Sequence, residues 1–236
     1  MKLFNNTINM TANVNPSIFK FLTDLKNNNT REWFAENKEY YQQEEEQIKD
    51  IFTAINEGLS AIDNIGGMKA YRIYRDIRFS KDKTPYKTFR SCSYKRATKA
   101  LRGSYHLEIK SGGSFLAAGF WKRNKEDLFR IREEFELDSS YIKNIISDKE
   151  FKTNFFGFYD RSSLKLAPTG FDKNHPNIDL IKKKDFIILR KFTDNEVLSK
   201  DFHTTIINSF KTVRPFFNYM SDVLTTNLNG ESIWGG

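Results

Sequence analysis

A chain of 236 residues with 39% hydrophobic and 29% charged residues can bury a core of its own, which excludes a disordered segment and a staple-dependent miniature fold. Its single cysteine, Cys92, excludes an internal disulfide and a cysteine-pair zinc site; the polar start MKLFNNTINMTANVN and the lack of a membrane-length apolar run make the cytoplasm the expected location and a membrane partner unexpected. A net charge of +8 favours anionic partners without choosing among them, and 22 Phe predict a core built on rings.

Asn15 and Pro16 read as the cap and first position of a helix carrying Ile18, Phe21, Leu22 and Leu25 at helical spacing. Asn27 to Asn29 stop it. Thr30 caps a second, long helix with an apolar stripe from Trp33 to Leu59 and an acidic face at Glu36, Glu39, Glu44, Glu45 and Glu46, ended by Gly66 and Gly67. Residues 71–79, YRIYRDIRF, alternate like a strand. SKDKTPYK reads as a loop, since Pro85 bars a central strand. Strands are expected at 89–96, 103–110 and 114–121, with SGG at 111–113 as a hairpin turn. Helices follow at 125–136 and 140–148, the latter capped by Ser139 or Ser140. Residues 150–176 read as mostly loop, 185–192 as a last strand, and 199–227 as helix divided by Pro215. No repeat or linker seam divides the chain. The order helices, strands, helices predicts a single α+β domain over 16–230, mainly an antiparallel sheet covered by N- and C-terminal helices, behind an extension at 1–15.

Chemistry concentrates in residues 69–102, where twelve Lys and Arg face only Asp76 and Asp82; the segment's net +10 exceeds the +8 of the whole chain. Read as a strand, 71–79 places Arg72, Tyr74, Asp76 and Arg78 on one face and Ile73, Arg75, Ile77 and Phe79 on the other. Two guanidiniums about a carboxylate, followed by a lysine-rich loop, suit a phosphate or carboxylate ligand. The ligand-binding candidates are Arg72, Arg75, Arg78, Lys81, Lys83, Tyr86 and Lys87. The competing reading pairs these arginines with Asp76 and with the acidic helix, contacts that contribute little at a surface.

The three histidines differ in setting. In SYHLEI, His106 shares a strand face with Ser104 and Glu108, opposite Tyr105, Leu107 and Ile109, an arrangement open to acid-base work. In GFDKNHP, His175 stands near Asp172 in a loop, either as a functional pair or as a loop-stabilising contact. His203 reads as structural. The acid-base candidates are therefore Asp76, His106, Glu108, Asp172 and His175. Cys92 lies near basic Arg90 and Lys95 but lacks an identifiable base. No phosphate-binding glycine loop, dinucleotide fingerprint, HExxH or GxSxG is present, so the sequence names no cofactor and no metal.

Four stretches occur in a specific order: NNNTREWFAENKEYY at 27–41, YRIYRDIRFSKDKTPYKT at 71–88, YHLEIKSGGSFLAAGFW at 105–121 and LKLAPTGFDKNHPNIDLIKKKDF at 164–186. With these the chain resembles the conserved hypothetical family called domain of unknown function 2461. It departs from the family's usual loop at Thr169 and Asn174, which stand where Lys and Asp are usual. The resemblance implies one α+β domain and brings no catalytic residues or cofactor with it.

The leading functional expectation is a site for an anionic small molecule, with enzymatic chemistry as one form of it. A nucleic-acid-binding module is the alternative, because Tyr71, Tyr74, Tyr86, Phe89 and Tyr94 interleave with the basic residues as stacking platforms would. A protein-interaction domain without catalysis is the third.

Overall fold

The structure, a computed structural model, describes residues 13–121, 124–159 and 163–233. The expected extension at 1–15 falls largely outside them.

Local rules start each N-terminal element. The Asn15 side chain accepts from Ser17 N at 3.1 Å and opens α1, Pro16–Asn27. Thr30 Oγ1 accepts from Trp33 N at 3.2 Å and opens α2, Arg31–Glu36. The single long helix expected after Thr30 is broken at Asn37, which leaves helical geometry and donates both its backbone and side-chain N–H groups to Trp33 O. α3, Lys38–Ser60, then buries Ile48, Ile51, Phe52, Ile55 and Leu59.

Gly66 and Gly67 do not end this helix. They lie inside a strand, β1, Ile65–Ala70. β2, Arg90–Arg96, β3, Ser104–Ile109, and β4, Ser114–Phe120, follow, and β5, Phe186–Phe192, completes an antiparallel sheet in the order β1-β2-β3-β4-β5. Between β4 and β5 stand α4, Lys125–Leu137, α5, Ser140–Ser147, α6, Lys149–Asn154, and α7, Ile178–Ile181. α6 stands where the sequence predicts loop; the Asp148 side chain caps it by accepting from Glu150 N and Phe151 N. After β5 come α8, Asp194–Val197, α9, Phe202–Thr212, and α10, Arg214–Val223, the last two separated at Val213 with Pro215 in the first turn of α10. The α+β class expected from the sequence is the one observed.

The chain forms two compact units built from interleaved segments. Of the described residues, the first takes 13–94, 106–116 and 191–208; the second takes 95–105, 117–121, 124–159, 163–190 and 209–233. In the first, Phe21, Leu22, Phe52, Ile55, Tyr94, Leu107, Ile109 and Ile206 are buried, and Tyr94 donates its hydroxyl to Phe52 O at 3.3 Å. In the second, aromatic rings meet edge to face or tilted: Tyr105 lies 4.8 Å from Phe210 and 4.9 Å from Phe217, and Phe135 lies 5.6 Å from Phe186. There Gly119 lets β4 pass close to β5. A Cβ at this position would sit 2.2 Å from Phe186 O, and the backbone φ is +150°.

Candidate acid-base site on the sheet

Residues 71–89 are not a strand. Their alternation is real, but the segment folds back on itself as a loop held by one bridge, Tyr74 to Tyr86, and by Arg75 N donating to Pro85 O at 2.9 Å and Lys87 N to Ile73 O at 2.8 Å. Two buried side chains pin it, Ile73 and Tyr86. The Tyr86 ring stacks on Phe34 with centroids 4.0 Å apart, and the Asn29 side chain exchanges two hydrogen bonds of 3.0 and 3.1 Å with the Tyr86 backbone. Pro85 and five charged side chains, Asp76, Arg78, Lys81, Asp82 and Lys83, leave the tip, 76–84, no partner strand and keep it in water.

The expected face of Arg72, Tyr74, Asp76 and Arg78 therefore does not form. Arg78 instead grips Asp76 through Nε to Oδ1 at 3.0 Å and Nη2 to Oδ2 at 2.7 Å, which holds the Asp76 carboxyl down at about 2. Arg75 donates to Asp82 Oδ2 at 2.5 Å, to Thr84 O at 3.1 Å and to the Thr84 hydroxyl. Lys83 donates to Ile77 O at 3.0 Å, and Lys81 is exposed at the tip. Two of the three arginines thus pair with the loop's own carboxylates. The exposed Arg72 guanidinium has no hydrogen bond or ion pair among the described residues. Lys26, Asn29, Arg75, Asp76, Tyr86 and Lys87 help line a cavity of about 580 Å³ on this loop.

The sheet supplies the other half. β3 buries Tyr105, Leu107 and Ile109 and turns His106 and Glu108 to the half-exposed face, as its alternation predicts. On the neighbouring strand Ser93 faces the same way, between buried Cys92 and Tyr94. Ser93 Oγ lies 2.8 Å from His106 Nδ1, and Tyr71 Oη lies 3.2 Å from Ser93 Oγ. The order in which Tyr71 donates to Ser93 and Ser93 donates to Nδ1 satisfies both hydroxyls. Lys69 Nζ and Lys87 Nζ approach the Tyr71 ring at 5.4 and 5.5 Å, and Lys87 donates to Arg72 O at 2.8 Å.

Half-burial presses each ionisable group here toward its neutral form. Burial lowers the His106 pKa to about 4. It raises that of Glu108 against the opposing charges of Lys110 and Lys87. It lowers that of Lys87, helped by Arg90 and Arg72 and opposed by Glu108. The result is a neutral imidazole, a carboxyl and an amine with tuned proton affinities, and a hydroxyl on the imidazole nitrogen. Burial thus moves Glu108 and Lys87 toward the range in which proton transfer at neutral pH is efficient and moves His106 away from it, leaving the imidazole a neutral hydrogen-bonding group.

Ser93 is not among the sequence candidates, and Tyr71 is there only as a stacking platform. The alternation of RSCSYKR, with Cys92 and Tyr94 facing the core, was the signal that could have placed Ser93 beside His106. Asp172 and His175 lie in the second unit and do not pair through their side chains. Asp172 Oδ1 accepts from Asn174 N at 2.9 Å, and His175 Nδ1 accepts from Asn177 N at 3.1 Å, so both side chains serve the turn that leads into α7. Cys92 is buried and its thiol is pushed up to about 11, which silences it as a nucleophile. Among the described residues, no three His, Cys, Asp or Glu side chains cluster as a metal would need, and no helix is long and apolar enough to cross a membrane.

The fold and this face define an α+β protein with a half-buried polar cluster on its sheet, beside a basic loop. A family model described as a conserved hypothetical protein (DUF2461) matches residues 17–219, and the chain belongs to that family. No curated protein and no solved structure matches the chain.

Proposed function

We propose that this protein binds a small phosphate- or carboxylate-bearing molecule at the sheet face of its first unit and acts on it by proton transfer. The observation that carries the reading is the Tyr71–Ser93–His106 hydrogen-bond chain, set in one half-buried cluster with Lys87 and Glu108. Arg72 and Lys87 supply the positive charge that recruits the anion. Glu108, whose proton affinity burial raises, exchanges the proton with the substrate, and neutral His106 holds Ser93 in place through Nδ1. Asp76, Arg75 and Arg78 shape the loop rather than meet the ligand.

The test is a thermal-shift screen with phosphate, sugar phosphates, nucleotides and dicarboxylates at low and moderate salt. A ligand that binds only the native state raises the melting temperature by mass action. The expected result is a selective rise with one small anion that survives moderate salt and is lost in Arg72→Ala and Lys87→Met. His106→Ala should keep binding and lose turnover. No rise with any anion would overturn the reading and leave a protein-interaction role.

A second reading, single-stranded nucleic acid, is supported by Phe79, 97% exposed among Arg78, Lys81 and Lys83. It predicts a rise with oligonucleotides alone that falls steeply with salt.

A further inference from the structure

The basic segment does not end at the loop. Its C-terminal stretch, residues 95–102, belongs to the second unit and helps form the wall of a separate cavity of about 510 Å³ there. Lys95, Arg96, Thr98, Lys99, Arg102 and Trp121 contribute to the lining, and no carboxylate does. The volume falls within the range of small-molecule sites.

The four cations play distinct parts. Arg96 is 6% exposed and fixed in place: its guanidinium donates to Arg102 O at 3.1 Å, Ser221 Oγ at 3.1 Å and Asn218 Oδ1 at 3.3 Å, and lies 5.6 Å from the centre of the Phe217 ring. Arg102 is paired with Asp127, which anchors the connection between β2 and β3 to α4. Gly103, at φ +93°, presses that connection against Phe217; a Cβ there would lie 2.9 Å from the ring. The backbone of the wall is thus immobilised at Arg96, Arg102 and Gly103. Lys95 and Lys99 are different: both are exposed, and neither has an ion pair among the described residues. The lining also includes Leu101 and the half-buried Trp121, whose indole is flat and largely apolar.

We propose that this cavity is a second anion site, taking a phosphate-bearing small molecule with a planar ring, of the mononucleotide type. Lys95 and Lys99 meet the phosphate from a wall whose backbone Arg96 and Arg102 fix, and the ring lies against Trp121. Each ammonium is a mobile point charge that can follow a phosphate held over this wall.

The test uses the full chain with AMP, ADP and inorganic phosphate, read by calorimetry and by tryptophan fluorescence. The expected result is saturable binding of AMP or ADP, at least 10-fold tighter than inorganic phosphate and accompanied by a change in Trp emission that Trp121→Phe removes. The double variant Lys95→Glu, Lys99→Glu, both at exposed positions, should weaken that binding at least 10-fold. Arg72→Ala with Lys87→Met, in the first unit, should leave it unchanged. Absence of binding overturns the proposal. So does binding indifferent to the Lys95→Glu, Lys99→Glu pair, or inorganic phosphate binding as tightly as AMP.

Discussion

At neutral pH the imidazole of His106 is uncharged, because burial holds its pKa near 4. In the unfolded chain the same group takes up its proton near pH 6.5. Between those values the unfolded state binds more protons than the folded one, so stability is full above about pH 6.5 and falls as the pH drops toward 4. The loss attributable to this residue is on the order of 3 kcal/mol. His106→Gln should flatten that limb when melting temperature is followed across the window by calorimetry. Arg90 presents the opposite case, a charge kept buried by its partner. It is 1% exposed, donates to Tyr71 O at 2.7 Å and meets Glu45 Oε1 at 2.7 Å. Glu45→Gln leaves the guanidinium uncompensated and should cost about 3 kcal/mol in urea denaturation. At this scale the sequence was partly legible. The shared face of His106 and Glu108 and the pairing of Arg78 with Asp76 follow from spacing and charge; the ion pair to the acidic helix comes from Arg90 and not from Arg72 or Arg78. The Ser93–His106 contact depends on how two strands register against each other, which spacing along one strand does not reveal.

Helix starts were legible because they are settled within four residues: Asn15, Thr30 and the start of α4 each obey local capping. Strand identity was not, because a strand exists only with a partner. YRIYRDIRF has the alternation of a strand and becomes a loop, whereas IGGMKA, whose glycines read as a helix stop, pairs into the sheet as β1. The competition between the two segments was decided by what lies beside β2, a long-range fact. Where strands pass closest, the demand on sequence is severe. Gly119→Ala would place a methyl group 2.2 Å from Phe186 O and 2.8 Å from Ile187 Cα at a φ of +150°. It should destabilise the protein by at least about 3 kcal/mol, seen as a lowered urea midpoint. Gly58→Ala meets only the movable end of Ile207, so its cost should be the smaller of the two.

Across the molecule, charge is distributed by segment rather than evenly. Residues 69–102 carry +10 while the chain totals +8, so everything outside that stretch is slightly acidic. The segment is divided between the two units, and each holds a cavity lined by its share of the cations. Association with any anion should therefore weaken with ionic strength in proportion to the cations engaged, and charge reversal at Lys95 and Lys99 should act on one site only. Composition made the basic character plain. The division between two cavities was hidden, because it depends on the chain crossing between units at Tyr94 and again at Tyr105.

β1 stands at one end of the strand order, so one row of its amide and carbonyl groups faces no strand among the described residues. Such a border is a template on which a second molecule can polymerise. Met68 is exposed there, and Lys69 is the only charge in the strand. Gly66 and Gly67 weaken its affinity for a sister strand, and the lysine keeps an approaching copy hydrated and at a distance. The strand is thereby guarded against fibre growth by three small features of its sequence. Lys69→Val should remove the strongest of them, and light scattering during incubation below the melting temperature should then rise faster than for the parent chain.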